Sequence, residues 1–404
     1  MREKHIVLRL RSAQAAFETD PTARATFASG RRTGGPSDLS VGIEDLNGDD
    51  VVKIHADPTV AAVAPAVPIG LIRPANMDSP QVVSTPPDRR IAWGVTAVGA
   101  DRSEYNGDGV VVAVLDTGIC AKHPAFEGVS LIQKNFTEES CDDEIGHGTH
   151  CAATIFGRPV NEVRIGVATG VKRALIGKVL GKNGGSSDQI ALAIQWAIEN
   201  GAHVMSMSLG IDFPGLVSLW QDRLGLPREL AVSRALDGYR ANVLMFERLA
   251  GYIRSLGAFN RTAVVIAAAG NESRRRENPN FVIGVSPPAV SDGVISVAAL
   301  GLSEGQFGIA DFSNRGATVA APGVDIISAD YRSNGLVSFS GTSMATPHVA
   351  GVAALWVQWL RKNGVLNSEQ LSGKIVGSAT RNGLNKEVAA IDVGAGLVQA
   401  PLKS

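Results

Sequence analysis

From about residue 91 onward, short runs of branched aliphatic residues alternate with segments of helical spacing. The runs are Val110–Leu115, Ala174–Leu180, Ala202–Met207, Ala263–Ala268 and Val294–Ala298. They are continuous rather than alternating, as expected of strands covered on both faces. The strand–helix order predicts an α/β fold with a mainly parallel central sheet. Sites in such folds lie beyond the C-terminal ends of the strands. The first 75 residues read differently. Ile6, Leu8 and Leu10 alternate with Val7 and Arg9 as in a strand, Asp50–His55 suits a short helix, and Val60–Pro65 suits another strand. This predicts a small N-terminal α+β unit over residues 1–75. Residues 11–40 carry no clear period. Residues 76–90, with Pro80, Pro86 and Pro87, read as an extended linker to a main domain over 91–404.

One more stretch has helical spacing. Between Gly210 and Asn271, Leu216, Leu219, Trp220, Leu224, Leu230, Ala235, Met245, Phe246 and Leu249 predict one or two amphipathic helices over about 211–262.

Composition narrows the function. The chain has 404 residues, 45% of them hydrophobic and 19% charged, which is ordinary for a globular protein. Its net charge of −1 supplies no global field for nucleic acid or a membrane surface, so neither is expected as a partner. The N-terminus has no apolar core of a secretory signal, and no charge-free window is long enough for a membrane span. Three cysteines, Cys120, Cys141 and Cys151, give no disulfide framework and suit a reducing compartment. The expected location is therefore the cytoplasm.

The candidate chemistry sits in four blocks. Val110–Leu115 runs into Asp116-Thr117-Gly118, where an acid at a buried strand end could orient an imidazole. Asp-Thr-Gly also occurs in aspartic proteases, but those need two carboxylates sharing a proton, and no second such tripeptide exists here. His147 lies between Gly146 and Gly148 at a predicted helix start, with His150 one turn on as a structural residue. A His-Glu-x-x-His zinc site is absent. Asn271 follows another apolar strand, where an amide could stabilise an oxyanion. Ser343, in Gly341-Thr342-Ser343-Met344-Ala345, opens a small-residue helix whose N-terminus favours developing negative charge. Each block alone also fits a cap or a turn.

The four blocks in the order Asp, His, Asn, Ser resemble the subtilisin-like serine proteases, the subtilase family, over roughly residues 91–400. The serine context is not the Gly-x-Ser-x-Gly of the α/β-hydrolases, because Ala345 stands where the last glycine would be. The resemblance implies a three-layer subtilisin-like fold and a serine endopeptidase acting on polypeptides. It implies that Asp116 orients His147, that His147 activates Ser343, and that Asn271 holds the oxyanion. Ser208-Leu209-Gly210 resembles the strand that pairs with substrate, and Gly184-Gly185 the opposite edge. An extended peptide would add as a strand between them. Cys151 resembles the thiol of proteinase K-like members and is expected beneath His147. The stretch Asp57–Pro65 resembles the end of a propeptide, which implies an N-terminal unit that assists folding and inhibits. A permanently attached, non-inhibitory domain is the alternative.

The chain also departs from the pattern. The 211–262 insertion is about thirty residues longer than in compact relatives and is a candidate lid or regulatory-partner site. Ala125 replaces the carboxylate of the family's strongest calcium site, so no cofactor is required for the chemistry and structural calcium is left open, not predicted. Arg274, Arg275 and Arg276 would edge the S1 pocket and favour acidic groups near P1. Glu138, Glu139, Asp142, Asp143 and Glu144 would favour basic groups beyond it. A catalytically silent peptide-binding module and a peptide ligase on the same fold are the competing readings.

Overall fold

The computed structural model describes residues 2–11, 38–77, 81–83, 90–259 and 261–402. The N-terminal unit is a three-stranded antiparallel sheet in the order β2-β1-β3, built from β1 (Glu3–Arg11), β2 (Asp38–Leu46) and β3 (Val60–Pro65). Helix α1 (Gly48–His55) starts at a capping box between Asn47 and Asp50. The period-2 pattern of β1 decides what each face covers. Val7 packs with Leu46 and Val63 beneath α1. Ile6 and Leu8 face the other way, into a core shared with the main body. Most of the 11–40 stretch lies outside the described residues.

The next two strands fall in the expected N-terminal unit (residues 1–75) and in the expected linker (76–90), respectively. Strand β4 (Pro68–Leu71) and the two-residue β5 (Gln81–Val82) both pair with the main body. The chain thus pairs with the main body from β4 onward, and within 76–90 Gln81 and Val82 do so as well.

The main body carries one large sheet. In chain order its strands and flanking elements are β6 (Val111–Asp116), β7 (Ser130–Asn135), α2 (His147–Phe156), β8 (Arg173–Lys178), β9 (Gly185–Ser186), α3 (Ser187–Glu199), β10 (Val204–Met207) and β11 (Leu209–Gly210). Helices α4 (Phe213–Leu224) and α5 (Arg228–Ser255) follow, then β12 (Val264–Ala268), β13 (Val294–Ser303), β14 (Gln306–Ile309), β15 (Val319–Pro322), β16 (Ile326–Ala329), β17 (Leu336–Phe339) and α6 (Thr342–Asn363). The sheet order is β14-β13-β12-β10-β6-β8-β7, with β15 beside β13, and every pairing is parallel except β13–β14. Its central strands are buried on both faces, as their continuous apolar runs require. One face packs on α2 and α6, the other on α3 and α5, which gives three layers.

The predicted helices of the 211–262 insertion are α4 and α5. Asp212 caps α4 by accepting from the Gly215 N–H, and Gly225 ends it at φ 61°. The inner face of α5 buries Ala235, Met245, Phe246, Leu249 and Ile253. Its outward surface meets this chain's own N-terminal unit. Asn242, fully buried, donates to the Pro65 carbonyl (2.9 Å), and Arg234 pairs with Glu3 (3.8 Å). Helix α3 completes the seat, with Gln195 accepting from the Val41 N–H (2.9 Å) and Asp188 facing Lys4 (3.5 Å).

Candidate active site

Strand β6 delivers Asp116 to the C-terminal edge of the sheet with 1% of its surface exposed. Its Oδ1 accepts from the Thr117 N–H (2.8 Å) and from His147 Nδ1 (2.7 Å). His147 is the first residue of α2. Gly146 before it has φ 92°, and a Cβ there would lie 2.1 Å from Tyr331 Cδ1. A Cβ at Gly148 would lie 2.2 Å from the Gly118 carbonyl oxygen. Close approach on both sides of the histidine thus explains the Gly-His-Gly sequence. Burial, the largest single effect, disfavours the imidazolium, but the charge and hydrogen bond of Asp116 together with the neighbouring Cys151 raise the His147 pKa well above the ordinary 6.5. Cys151 sits beneath, its Sγ 3.8 Å from Nδ1, and burial pushes its own pKa up, so it is a neutral thiol there.

The loop before His147 is organised by a residue whose role the acid-rich sequence hides. Asp143 is 5% exposed and does not face a substrate. Its Oδ1 accepts from Thr117 Oγ1 (2.8 Å), Ile145 N (3.1 Å) and Gly146 N (2.7 Å), and its Oδ2 from Thr149 N (2.9 Å) and Thr149 Oγ1 (2.6 Å). One carboxylate therefore ties the end of β6 to the start of α2. Two of the other acids are engaged by lysines: Glu139 by Lys178, Glu144 by Lys182.

Ser343 lies in the first turn of α6, fully buried. Pro347, four residues on, has no N–H to give the Ser343 carbonyl. That carbonyl is taken instead by the Ser208 hydroxyl (3.2 Å) and the Cys151 thiol (3.4 Å). Asn271 is oriented by Thr342, whose N–H and Oγ1 both donate to its Oδ1 at 2.9 Å. Its Nδ2 then points to the cleft.

The cleft is filled by the chain's own β4. Leu71 and Gly70 pair antiparallel with Leu209 and Gly210 on one side, and Ile69 and Pro68 with Gly185 and Ser186 on the other. Gly184 turns the second edge at φ 86°, and a Cβ there would sit 2.7 Å from the Ile69 carbonyl oxygen. Ile72 lies against Gly210, where a Cβ would be 3.4 Å from Ile72 Cδ1. Ser343 Oγ donates to the Ile72 carbonyl (2.8 Å), and Asn271 Nδ2 donates to the next carbonyl, that of Arg73 (2.8 Å). Beyond them Ala75 N donates to the Ser340 carbonyl (2.7 Å).

The structure thus brings Asp116, His147, Asn271 and Ser343 to one cleft and the predicted substrate edges to its two sides. The Ser343 hydroxyl is directed at Ile72 rather than at His147, whose buried Nε2 has no hydrogen-bond partner among the described residues. His150 is a packed residue, its Nε2 on the Ile326 carbonyl (3.0 Å) and its pKa lowered to about 3 by burial. Of the arginine triplet, Arg275 is held by Asp392 (2.7 Å) and the Ser313 carbonyl, and Arg274 by Glu277 and the Phe281 ring. Arg275 is thus tied into the surrounding structure, while Arg274 sits in a solvent-exposed pair. The one His/Cys/Asp/Glu group with clustered donor atoms among the described residues is Asp116, His147 and Cys151. Its His147 Nδ1–H is already given to Asp116, so the group reads as a proton-handling pair above a thiol.

Comparison with known proteins agrees with this geometry. The family model described as the subtilase family matches residues 107–396. A thermostable alkaline protease of Halalkalibacterium halodurans is 35% identical over 320 residues, covering 77% of this chain and 70% of its own. Subtilisin DY of Bacillus licheniformis is 33% identical over 299 residues, covering 72% of this chain and 93% of its own. M-protease of Shouchella clausii is 31% identical over 345 residues, covering 83% and 73%. An Asp–His pair at the sheet edge, a serine opening the helix across from it, and a family match across most of the main body lead to one assignment: this chain belongs to the subtilase family of serine proteases.

Proposed function

We propose that the protein is a serine endopeptidase with Asp116, His147 and Ser343 as its triad and Asn271 as oxyanion donor, and that its N-terminal segment keeps it latent. The observation that supports this best is β4 lying antiparallel between the two cleft edges, with the Ile72 carbonyl 2.8 Å from Ser343 Oγ. A polypeptide substrate in that register would place its P1 carbonyl where Ile72 has its own. Ser343 Oγ then attacks the carbonyl carbon as its proton passes to His147 Nε2. The oxyanion is held by Asn271 Nδ2 and the Ser343 N–H. His147 returns the proton to the leaving amine as the C–N bond breaks, and water repeats the sequence on the acyl-enzyme. Asp116 stabilises the imidazolium throughout. This chemistry calls for no metal or cofactor.

Latency follows from a split of two roles over two carbonyls. Ser343 contacts Ile72 while the amide of Asn271 is taken by Arg73. Attack requires nucleophile and oxyanion donor on the same carbonyl, so the resident segment inhibits without being in position to be cut. The N-terminal unit anchors it through Ile6, Leu8, Asn242 and Gln195. The free thiols Cys120, Cys141 and Cys151 support a reducing, cytoplasmic setting, in which such latency would protect the cell's own proteins.

The test is intact-mass analysis of wild type and Ser343→Ala, before and after a fluorophosphonate probe. Labelling confined to wild type, slow in the full-length chain and fast once about the first 72 residues are lost, is expected. Labelling absent from every form of the wild type would remove the peptidase reading.

A further inference from the structure

Beside β4 a cavity of about 440 Å³ opens between the N-terminal unit, the edge Gly185–Ser186 and helix α4. Its far wall is apolar: Leu216, Leu219, Trp220 and Leu224, all from the insertion. Its near wall is the cleft-bound segment itself, at Pro65, Ala66 and Pro68. The residue between, Val67, is turned away and buried against Gly238 of α5. This is the alternation of an extended chain. Counting back from the Ser343-bound carbonyl, Pro68 is P5, Val67 is P6 and Ala66 is P7. The small side chains of this chain's own P5 and P7 leave the space between them and α4 unfilled.

We propose that α4 builds an apolar subsite beyond the cleft proper, which takes large hydrophobic side chains at P5 and P7 of a polypeptide substrate. The occupant follows from continuity: the cavity is lined by the strand that fills the substrate cleft, so a substrate displacing that strand runs along the same wall. The inference rests on the peptidase reading and its register. It makes the insertion a specificity element, and it explains why a helix with an apolar face stands at this edge. The resident segment underfills the subsite, so a good substrate gains contacts there that the inhibitor lacks.

The experiment has two arms, the first on the full-length chain and the second on wild type after about its first 72 residues have been lost. In a Ser343→Ala background, Ala66→Leu is expected to raise the melting temperature by about 1–3 °C by filling the cavity, and the gain is expected to vanish when Trp220→Ala is added. In the second arm, wild type is incubated with a denatured-protein digest, and the cut sites are sequenced. Leu, Ile, Met or Phe at the fifth and seventh residues before the cut is expected to be enriched about fivefold or more, and Leu219→Ser with Trp220→Ser to abolish the enrichment while cleavage continues. Cleavage without enrichment, or an Ala66→Leu chain no more stable than its parent, overturns the subsite and leaves the peptidase standing. A digest left uncut by a chain that has lost its N-terminal segment and still refuses the fluorophosphonate overturns the peptidase reading, and the subsite with it.

Discussion

The Ser343 hydroxyl donates to the carbonyl of Ile72, 2.8 Å away, a residue 271 positions earlier in the same chain. The proton that His147 would have to accept is thereby turned toward the resident peptide, and His147 Nε2 stands buried and unpartnered. A base and a nucleophile sit in one cleft, uncoupled by the segment between them. Under the proposed latency, activation would require no rebuilding of the site, only departure of the segment.

Asn271 is the residue whose removal separates binding from chemistry. It stands between Thr342, which orients it, and the Arg73 carbonyl, which occupies it. In the processed enzyme, Asn271→Ala is expected to lower kcat by roughly 10²–10³ with little change in KM, because the lost donor acts on the oxyanion and not on the ground state. Steady-state kinetics on a peptide spanning P4 to P2′ would check it, and an equal rise in KM with kcat intact would contradict the assigned role.

Asp116 sets the pH at which the base works. Burial opposes the charged imidazole most strongly, and the Asp116 carboxylate, with Cys151, raises the His147 pKa well above 6.5 against it. The imidazole must be neutral to accept a proton, so kcat/KM should fall as pH falls through that raised value. Asp116→Asn removes the charge, so the inflection should move to lower pH while the plateau drops about 10⁴-fold. A pH–rate profile of both enzymes reads the two effects separately.

How much of this was legible in the sequence follows from where each residue sits. Asp116, Asn271 and the continuous aliphatic runs before them announce buried parallel strands and their ends. His147 and Ser343 are legible because close backbone approach and a helix start demand Gly-His-Gly and Gly-Thr-Ser. Asp143 is not legible. It stands in a run of like acids, and only the turn that buries it reveals five donors converging on it. The docking of Pro68–Leu71 is equally hidden, because its pairings with Gly185–Ser186 and Leu209–Gly210 are two residues long and carry no period. The roles of Arg274 and Arg275 depend on partners as distant as Asp392, which no local pattern announces.

Asp143→Asn should therefore be costly despite its near-identical shape. An amide would present an N–H₂ group to donors now facing a carboxylate, and charge-assisted bonds are each worth roughly 1.5–3 kcal/mol. A stability loss of about 3 kcal/mol in urea unfolding, with kcat reduced through displacement of His147, is expected. An unchanged midpoint would show that the loop is held by something else.

Two buried histidines make the fold acid-sensitive. Burial lowers His150 to about 3 and His348 to about 4, so both stay neutral in the native state while the unfolded chain protonates them below 6.5. The stability they lend is present above 6.5 and is lost as pH falls toward 4 and then 3, on the order of a few kcal/mol for each. His147, shifted upward, works in the opposite sense: its contribution is full below 6.5 and is lost as pH rises through its native value. Thermal unfolding of Ser343→Ala between pH 7.5 and 4.5 should show a falling midpoint, flattened in a His150→Gln, His348→Gln chain even if its baseline is lower.

The strongest prediction concerns the segment in the cleft. Ile72 is 5% exposed and lies where a substrate's P1 side chain would lie, against Gly210. Ile72→Asp would put a carboxylate in this buried position, a cost of several kcal/mol. The anchoring of Ile6, Leu8 and Asn242 is remote from this position, so the N-terminal unit should still fold and dock. Only the cleft segment should dissociate. A loss of about 3 kcal/mol in its local binding corresponds to a shift of more than 100-fold in the open fraction. The full-length variant should thus react with a fluorophosphonate far faster than wild type, before any N-terminal residues are lost. An unchanged labelling rate would mean that the segment does not close the site in solution, and that restraint on this protease comes from elsewhere.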